Sequence, residues 1–257
     1  MATDVGGLAL LVAASAVAGA INSVAGGGSL ISFPAALAVG LPPVTANATN
    51  ALALVPGSLA SAWAYHGELA GKARLALGLT LPAATGSAIG AGLLLGARPE
   101  VFEAVVPVLV LGATGTVLFK DLVARFADAP ETASTRRRLA LGAALGAIAI
   151  YGGYFGAGIG IMLLAAFAVF QRMSLNEMNG LKCVIAAAIN GVAAAYFVTV
   201  GAAALPEAAT MAVGSSVGGY AGARVARRFP VWVLKAVIAC TGVSLSVVLV
   251  ARLWFLK

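Results

Sequence analysis

The sequence predicts an all-α polytopic membrane protein made of two inverted repeats, each a glycine-broken helical hairpin followed by three transmembrane helices. Three observations carry that expectation. Of 257 residues, 61% are hydrophobic and only 10% are charged, whereas a soluble domain carries roughly 25% charged residues. The apolar residues form long Ala/Leu/Val/Gly runs, without the polar alternation of barrel strands, so the spans are helical. Two of the runs are too short to cross a bilayer, and each follows a glycine-rich break.

The apolar runs of the first half cover about 5–24, 29–41, 47–66, 74–97 and 100–120; those of the second cover about 139–155, 159–171, 178–200, 204–226 and 230–255. A full crossing takes about 20 residues, and a run of about 10–14 suits a re-entrant piece. Segments 29–41 and 159–171 are of the second kind. Between the halves lies KDLVARFADAPETASTRRR, so the chain divides into a first membrane repeat (1–120), a basic cytoplasmic linker (121–138) and a second repeat (139–257). Asp4 and the lack of a basic leader argue against a cleaved signal peptide. Cys183 and Cys240 lie in apolar runs with no ligand spacing around them, which implies neither disulfide nor metal, and no cofactor is expected.

The break in the first half is Gly26-Gly27-Gly28-Ser29, followed by Pro34, Pro42-Pro43 and the polar cluster Thr45, Asn47, Thr49 and Asn50. Bare glycine backbone within an apolar run is tolerated in a bilayer only where protein or a water-filled cavity satisfies its polar groups. The second half repeats the arrangement around Gly153–Gly160. Asn179 follows Asn47 by 132 positions (179 − 47), and at the same offset Lys182 matches Asn50, Asn190 matches Ser58, and Gly218/Gly222 match Gly86/Gly90.

The net charge of +7 suggests orientation rather than nucleic-acid binding, because the basic residues sit in short loops between apolar runs. They swap sides between equivalent loops: Lys72 and Arg74 have no basic counterpart near 201–207, while Arg224, Arg227 and Arg228 outnumber Arg98. An odd number of crossings per unit then places Lys72, Arg74, Lys120, Arg125, Arg136–Arg138, Arg172, Arg224, Arg227 and Arg228 on one face, against Arg98, Arg252 and Lys257 on the other. That eleven-to-three bias makes the repeats inverted, with both termini outside the cytoplasm.

Asn47, Asn50, Leu54, Ser58, Ser61 and Tyr65 recur at helical spacing on one face, and the second repeat reads Asn179, Lys182, Ala186, Asn190, Ala193 and Phe197. Two polar stripes beside glycine breaks converge if a pseudo-two-fold axis relates the halves. Helix starts after the breaks carry partial positive charge and suit an anion. The candidate binding residues are therefore Asn22, Gly26, Gly27, Gly28, Ser29, Asn47, Asn50, Ser58, Gly156, Gly158, Asn179, Lys182 and Asn190. Competing structural readings exist for each: caps or interhelical bonds for Asn47 and Asn50, a snorkelling Lys182, and glycines that only allow tight packing. Glu177 at a helix start suits the dipole, and His66 with Glu68 reads as a solvated helix end, although either carboxylate or imidazole could relay a proton. Neither a Ser/His/Asp set nor an HExxH motif occurs, so an intramembrane enzyme is disfavoured.

AGGGSLISFP (25–34), GLPP (40–43), ANATN (46–50) and the degenerate second copy GGYFGAGIG (152–160) with LNEMNGLK (175–182) resemble the TauE/SafE-type sulfite and organosulfonate transporters over nearly the whole chain. The resemblance implies a duplicated helical transporter of the bacterial or archaeal cytoplasmic (inner) membrane that moves sulfite, sulfoacetate or related anions, commonly by export. It departs from the pattern at Gly156-Ala157-Gly158 and at Leu181, which stands opposite Thr49. The partners so expected are a small anionic substrate, the lipid bilayer and a coupling proton or ion. The residues alone support anion handling, and leave open another anion such as a carboxylate, a passive channel, or a non-transporting scaffold. Oligomeric state is not legible.

Overall fold

The computed structural model describes residues 4–125, 135–225 and 247. Within them the chain forms nine helices: α1 (Val5–Val24), α2 (Ser29–Ala38), α3 (Pro43–Ala64), α4 (Ala73–Gly96), α5 (Pro99–Arg125), α6 (Thr135–Tyr154), α7 (Ile159–Phe170), α8 (Leu175–Thr199) and α9 (Leu205–Val225). Apart from residue 247, the expected segment 230–255 with Cys240 and Arg252 lies outside the described residues, as do Lys257, Arg227, Arg228 and the central part of the linker. Arg136, Arg137 and Arg138 belong to the first turn of α6 rather than to a coil. α1, α4 and α8 are each long and apolar enough to cross a membrane, while α2 and α7 have 10 and 12 residues.

The short helices owe their length to what flanks them. α1 stops where Gly26 and Gly27 adopt φ of 80° and 88°, and α6 stops where Gly156 adopts 78°, a left-handed conformation open to glycine and costly for residues with a Cβ. α2 then carries Pro34 inside it and ends before Gly40, while α3 starts with Pro43, whose missing N–H costs nothing in a first helical turn. α8 starts differently, with a capping box: the Ser174 hydroxyl accepts from the Glu177 N–H, and the Glu177 carboxylate accepts from the Ser174 N–H at 2.7 Å.

Small residues set the packing. A Cβ at Gly218 would run into the carbonyl oxygen of Ala16 and one at Gly222 into Ala20, so α9 lies directly on α1. Gly86 and Gly90 bring α4 equally close to Gly146 and Ile150 of α6. These two interfaces are equivalent: the 132-residue offset relates Gly86 and Gly90 to Gly218 and Gly222, while an offset of 130 relates Ala16 and Ala20 to Gly146 and Ile150. Without a hydrophobic driving force between helices in lipid, such close backbone approach is what holds them together.

Contacts along the helices fix their directions. Thr49, early in α3, accepts from the N–H of Ala204 just after α8, while Tyr65, after the end of α3, packs on Gly180 near the start of α8. α3 and α8 therefore run antiparallel. At the end where α8 starts, Lys72 pairs with Glu177 at 2.6 Å and Arg137 donates to the Val169 carbonyl at 3.1 Å, gathering the loops that carry Lys72, Arg172 and the start of α6. Leu77, Leu81, Val108, Val213 and Val217 stay exposed on the outside, the surface a bilayer covers.

Replacing Gly218 by Ala should lower the thermal unfolding midpoint of the detergent-purified protein, by the equivalent of about 1–3 kcal/mol of overpacking. Gly92→Ala, whose Cβ meets nothing within 4 Å, should not lower it. Equal midpoints for the two variants would contradict this account of the α1–α9 interface.

Candidate functional site

Both glycine breaks are buried, and they touch. A Cβ at Gly26 would meet the Gly160 carbonyl carbon and the Ile161 nitrogen at 2.6 Å, and one at Gly160 would meet the Cα of Gly26 at 2.7 Å. The two hairpin tips thus cross backbone to backbone, at a spacing only residues without side chains allow. Asn22, in the last turn of α1, steadies the first tip by accepting from the Gly28 N–H at 2.7 Å. In the second tip the Tyr151 hydroxyl donates to the Ala157 carbonyl at 2.7 Å.

Lys182 runs between them. Its stem passes the second tip, since a Cβ at Gly160 would lie 3.4 Å from Lys182 Cδ. Its ammonium donates to the Ser23 carbonyl at 3.1 Å and to Asn179 Oδ1 at 2.7 Å. With 1% of its surface exposed, Lys182 is the largest buried cationic side chain described, and it does not snorkel. Ser23 lies at the C-terminal end of α1, where helix carbonyls carry partial negative charge and favour a cation. Taking an ammonium out of water is costly unless it is paired and hydrogen-bonded. The two oxygens and the dipole offset that cost.

Beside this crossing is a cavity of about 20 Å³, a little more than one water molecule requires. From the first repeat come Asn22, Gly27 and Ser29 of the tip with Ser58 and Ser61 of α3; from the second come Gly156 and Gly158–Gly160 of the tip with Lys182, Cys183, Ala186 and Asn190 of α8. The starts of α2 and α7 both open onto it, and the leading N–H groups of a helix have no partner within the helix. Amides, hydroxyls and one ammonium thus converge. Among the described residues lining the cavity there is no carboxylate.

Of the thirteen residues singled out from sequence, Asn22, Gly27, Ser29, Ser58, Gly156, Gly158, Lys182 and Asn190 line the cavity. Gly26 and Gly28 are in the tip but face backbone, that of the other hairpin and of Ala18 respectively. Asn179 stands behind Lys182 as its acceptor. Asn47 and Asn50 are buried elsewhere on α3: Ser58 follows Asn47 by 11 residues, about 16 Å along a helix at 1.5 Å per residue. Asn47 is neither a cap nor a cavity residue; it donates to the Tyr154 carbonyl at the end of α6 at 3.1 Å. Ser61, Cys183 and Gly160 line the cavity without having been singled out, although Ser61 shares the helical face of Ser58. Glu177 serves the capping box and the pair with Lys72, and His66 is exposed, stacked on Trp63.

Long apolar helices enclosing two buried, glycine-broken tips define a multi-pass membrane protein of the transporter class. Comparison with known proteins agrees: the profile described as "Sulfite exporter TauE/SafE" matches residues 11–249, and the chain belongs to that family. It is 25% identical over 253 residues to "Probable membrane transporter protein ORF9" of Sinorhizobium sp., covering 96% of each chain. It is 28% identical over 222 residues to "Probable membrane transporter protein YfcA" of Escherichia coli (strain K12), covering 85% of this chain and 80% of that one. A "Probable membrane transporter protein" of Haemophilus influenzae is 28% identical over 176 residues, 66% of each. No solved structure matches the chain.

The Lys182–Asn179 pair can be weighed by itself. Asn179→Leu should destabilise the protein by about 1–3 kcal/mol, the cost of a buried donor left without its acceptor. Adding Lys182→Met should recover part of that loss in a double-mutant cycle read by thermal unfolding. Additive losses would mean that the two side chains are not coupled.

Proposed function

We propose that the chain is a secondary transporter of small sulfur-containing anions, sulfite or an organosulfonate such as sulfoacetate, that exports them across the bacterial or archaeal inner membrane. The observation that carries the anion reading is the cavity's composition: one buried ammonium, several amide and hydroxyl donors and two helix starts, with no carboxylate among its described lining residues. The sulfur chemistry comes from the family's description.

In this reading Lys182 supplies charge, Asn22, Ser29, Ser58 and Asn190 supply directional donors, and the backbone at Gly27, Gly156 and Gly158 allows close approach. Asn179 positions the ammonium, and Gly26 and Gly28 let the tips close. The antiparallel course of α3 and α8 and the two equivalent glycine interfaces support inverted repeats, with the α1–α9 and α4–α6 pairs, each drawn from both repeats, rocking as units around the crossing. Asn47 ties the start of α3 to the end of α6, as Lys182 ties α8 to the end of α1. The basic loops gathered near Lys72 and Arg137 face the cytoplasm. We assign no catalytic step to the chain.

The test is ligand-dependent stabilisation of the detergent-purified protein across sulfite, sulfate, thiosulfate, sulfoacetate, taurine and simple carboxylates. A cognate anion at a hundredfold excess over its dissociation constant should add about 2.7 kcal/mol. The shift should be confined to sulfur anions and be lost in Lys182→Ala, which should still fold. A shift with carboxylates alone, or one retained in Lys182→Ala, would contradict the assignment.

A further inference from the structure

The two repeats place like groups at like positions, with one substitution that changes the charge. In the second repeat the ammonium of Lys182 is held by Asn179 Oδ1 and by the carbonyl of Ser23, at the C-terminal end of α1. The matching positions in the first repeat are Asn50 and Asn47, at the 132-residue offset, and the C-terminal end of α6. The match is physical as well as sequential. Asn47 donates to the carbonyl of Tyr154, one residue past the counterpart of Ser23. Each polar helix start is thereby bound to the end of the other repeat's first helix.

Where the second repeat has a tethered cation, the first has the shorter, neutral Asn50. Its side-chain oxygen is buried, in a residue with 3% of its surface exposed, and has no hydrogen-bond partner. A buried acceptor without a donor calls for one. Here it lies one helical turn from Asn47, whose amide marks the carbonyl end of α6. That end carries partial negative charge, and neutral oxygens of this kind suit a hard cation. In transporters built of repeats, broken-helix starts take anionic groups while helix C-terminal ends and free carbonyls take the coupling ion.

We infer that the oxygen of Asn50 and the carbonyl end of α6 form a binding site for a small alkali cation of the sodium type, which occupies in the first repeat the place that the Lys182 ammonium occupies in the second. Its role as coupling ion rests on the transport reading above; its occupancy does not.

The experiment compares thermal unfolding of the full detergent-purified chain in sodium chloride and in N-methyl-D-glucamine chloride, without any sulfur anion, at matched chloride up to about 0.3 M. Sodium should raise the midpoint saturably over the organic cation. Asn50→Lys, which restores a tethered ammonium, should be insensitive to sodium, and Asn50→Leu should be insensitive as well, so the loss of either fold leaves the other to decide. Equal midpoints of the wild type in the two salts would overturn the inference. So would a wild-type sodium response retained in both variants. Because no sulfur anion is present, a protein that failed the anion screen would still score here.

Discussion

The crossing of the two hairpin tips is the constraint on which the rest depends. Gly26 and Gly160 meet at a distance that excludes any side chain, and everything at the centre of the molecule follows from that approach. It brings the start of α2 and the start of α7 to one cavity. It gives the stem of Lys182 a channel past Gly160 and brings its ammonium to the end of α1. It also keeps both breaks inside the protein, a setting in which non-helical backbone is tolerated at membrane depth.

Around that crossing the scaffold is doubled. α9 lies on α1 as α4 lies on α6, through glycines at matched positions whose backbones nearly touch. Such interfaces resist compression and repack in discrete steps rather than deforming smoothly. Each ties a helix of the first half to one of the second, α1 to α9 and α4 to α6. The halves are not chemically equal. Asn22 caps the first tip, and Gly152 stands at its counterpart, 130 residues on; Lys182 is charged where Asn50 is neutral.

Much of this was legible in the sequence. Charge content and the apolar runs gave the helical membrane class, and the glycine runs located both breaks to within a residue or two. Eight of the thirteen candidate residues line one cavity because glycine breaks and polar helix faces are signals of local origin. Asn47 and Asn50 lie away from the cavity for a physical reason: a helical face shows which way a residue points but not its height. Height is set by where the tips cross α3, and that depends on contacts such as Gly26 with Gly160 that no single segment encodes. Lys182 was open between burial and snorkelling for the same cause. Its position one turn or so inside α8 fits either, until Ser23 and Asn179 are seen around it. The capping box at Ser174 and Glu177, by contrast, can be read directly from residue spacing.

The most direct measurement is counterflow in proteoliposomes: vesicles preloaded with unlabelled sulfite or sulfoacetate, diluted into a trace of the radiolabelled anion, with wild-type protein beside Lys182→Gln. The wild type should show transient, saturable accumulation of label above its outside concentration, and the variant none. Simple equilibration without overshoot would describe a channel, and accumulation by Lys182→Gln at the wild-type rate would remove the buried ammonium from the centre of the mechanism.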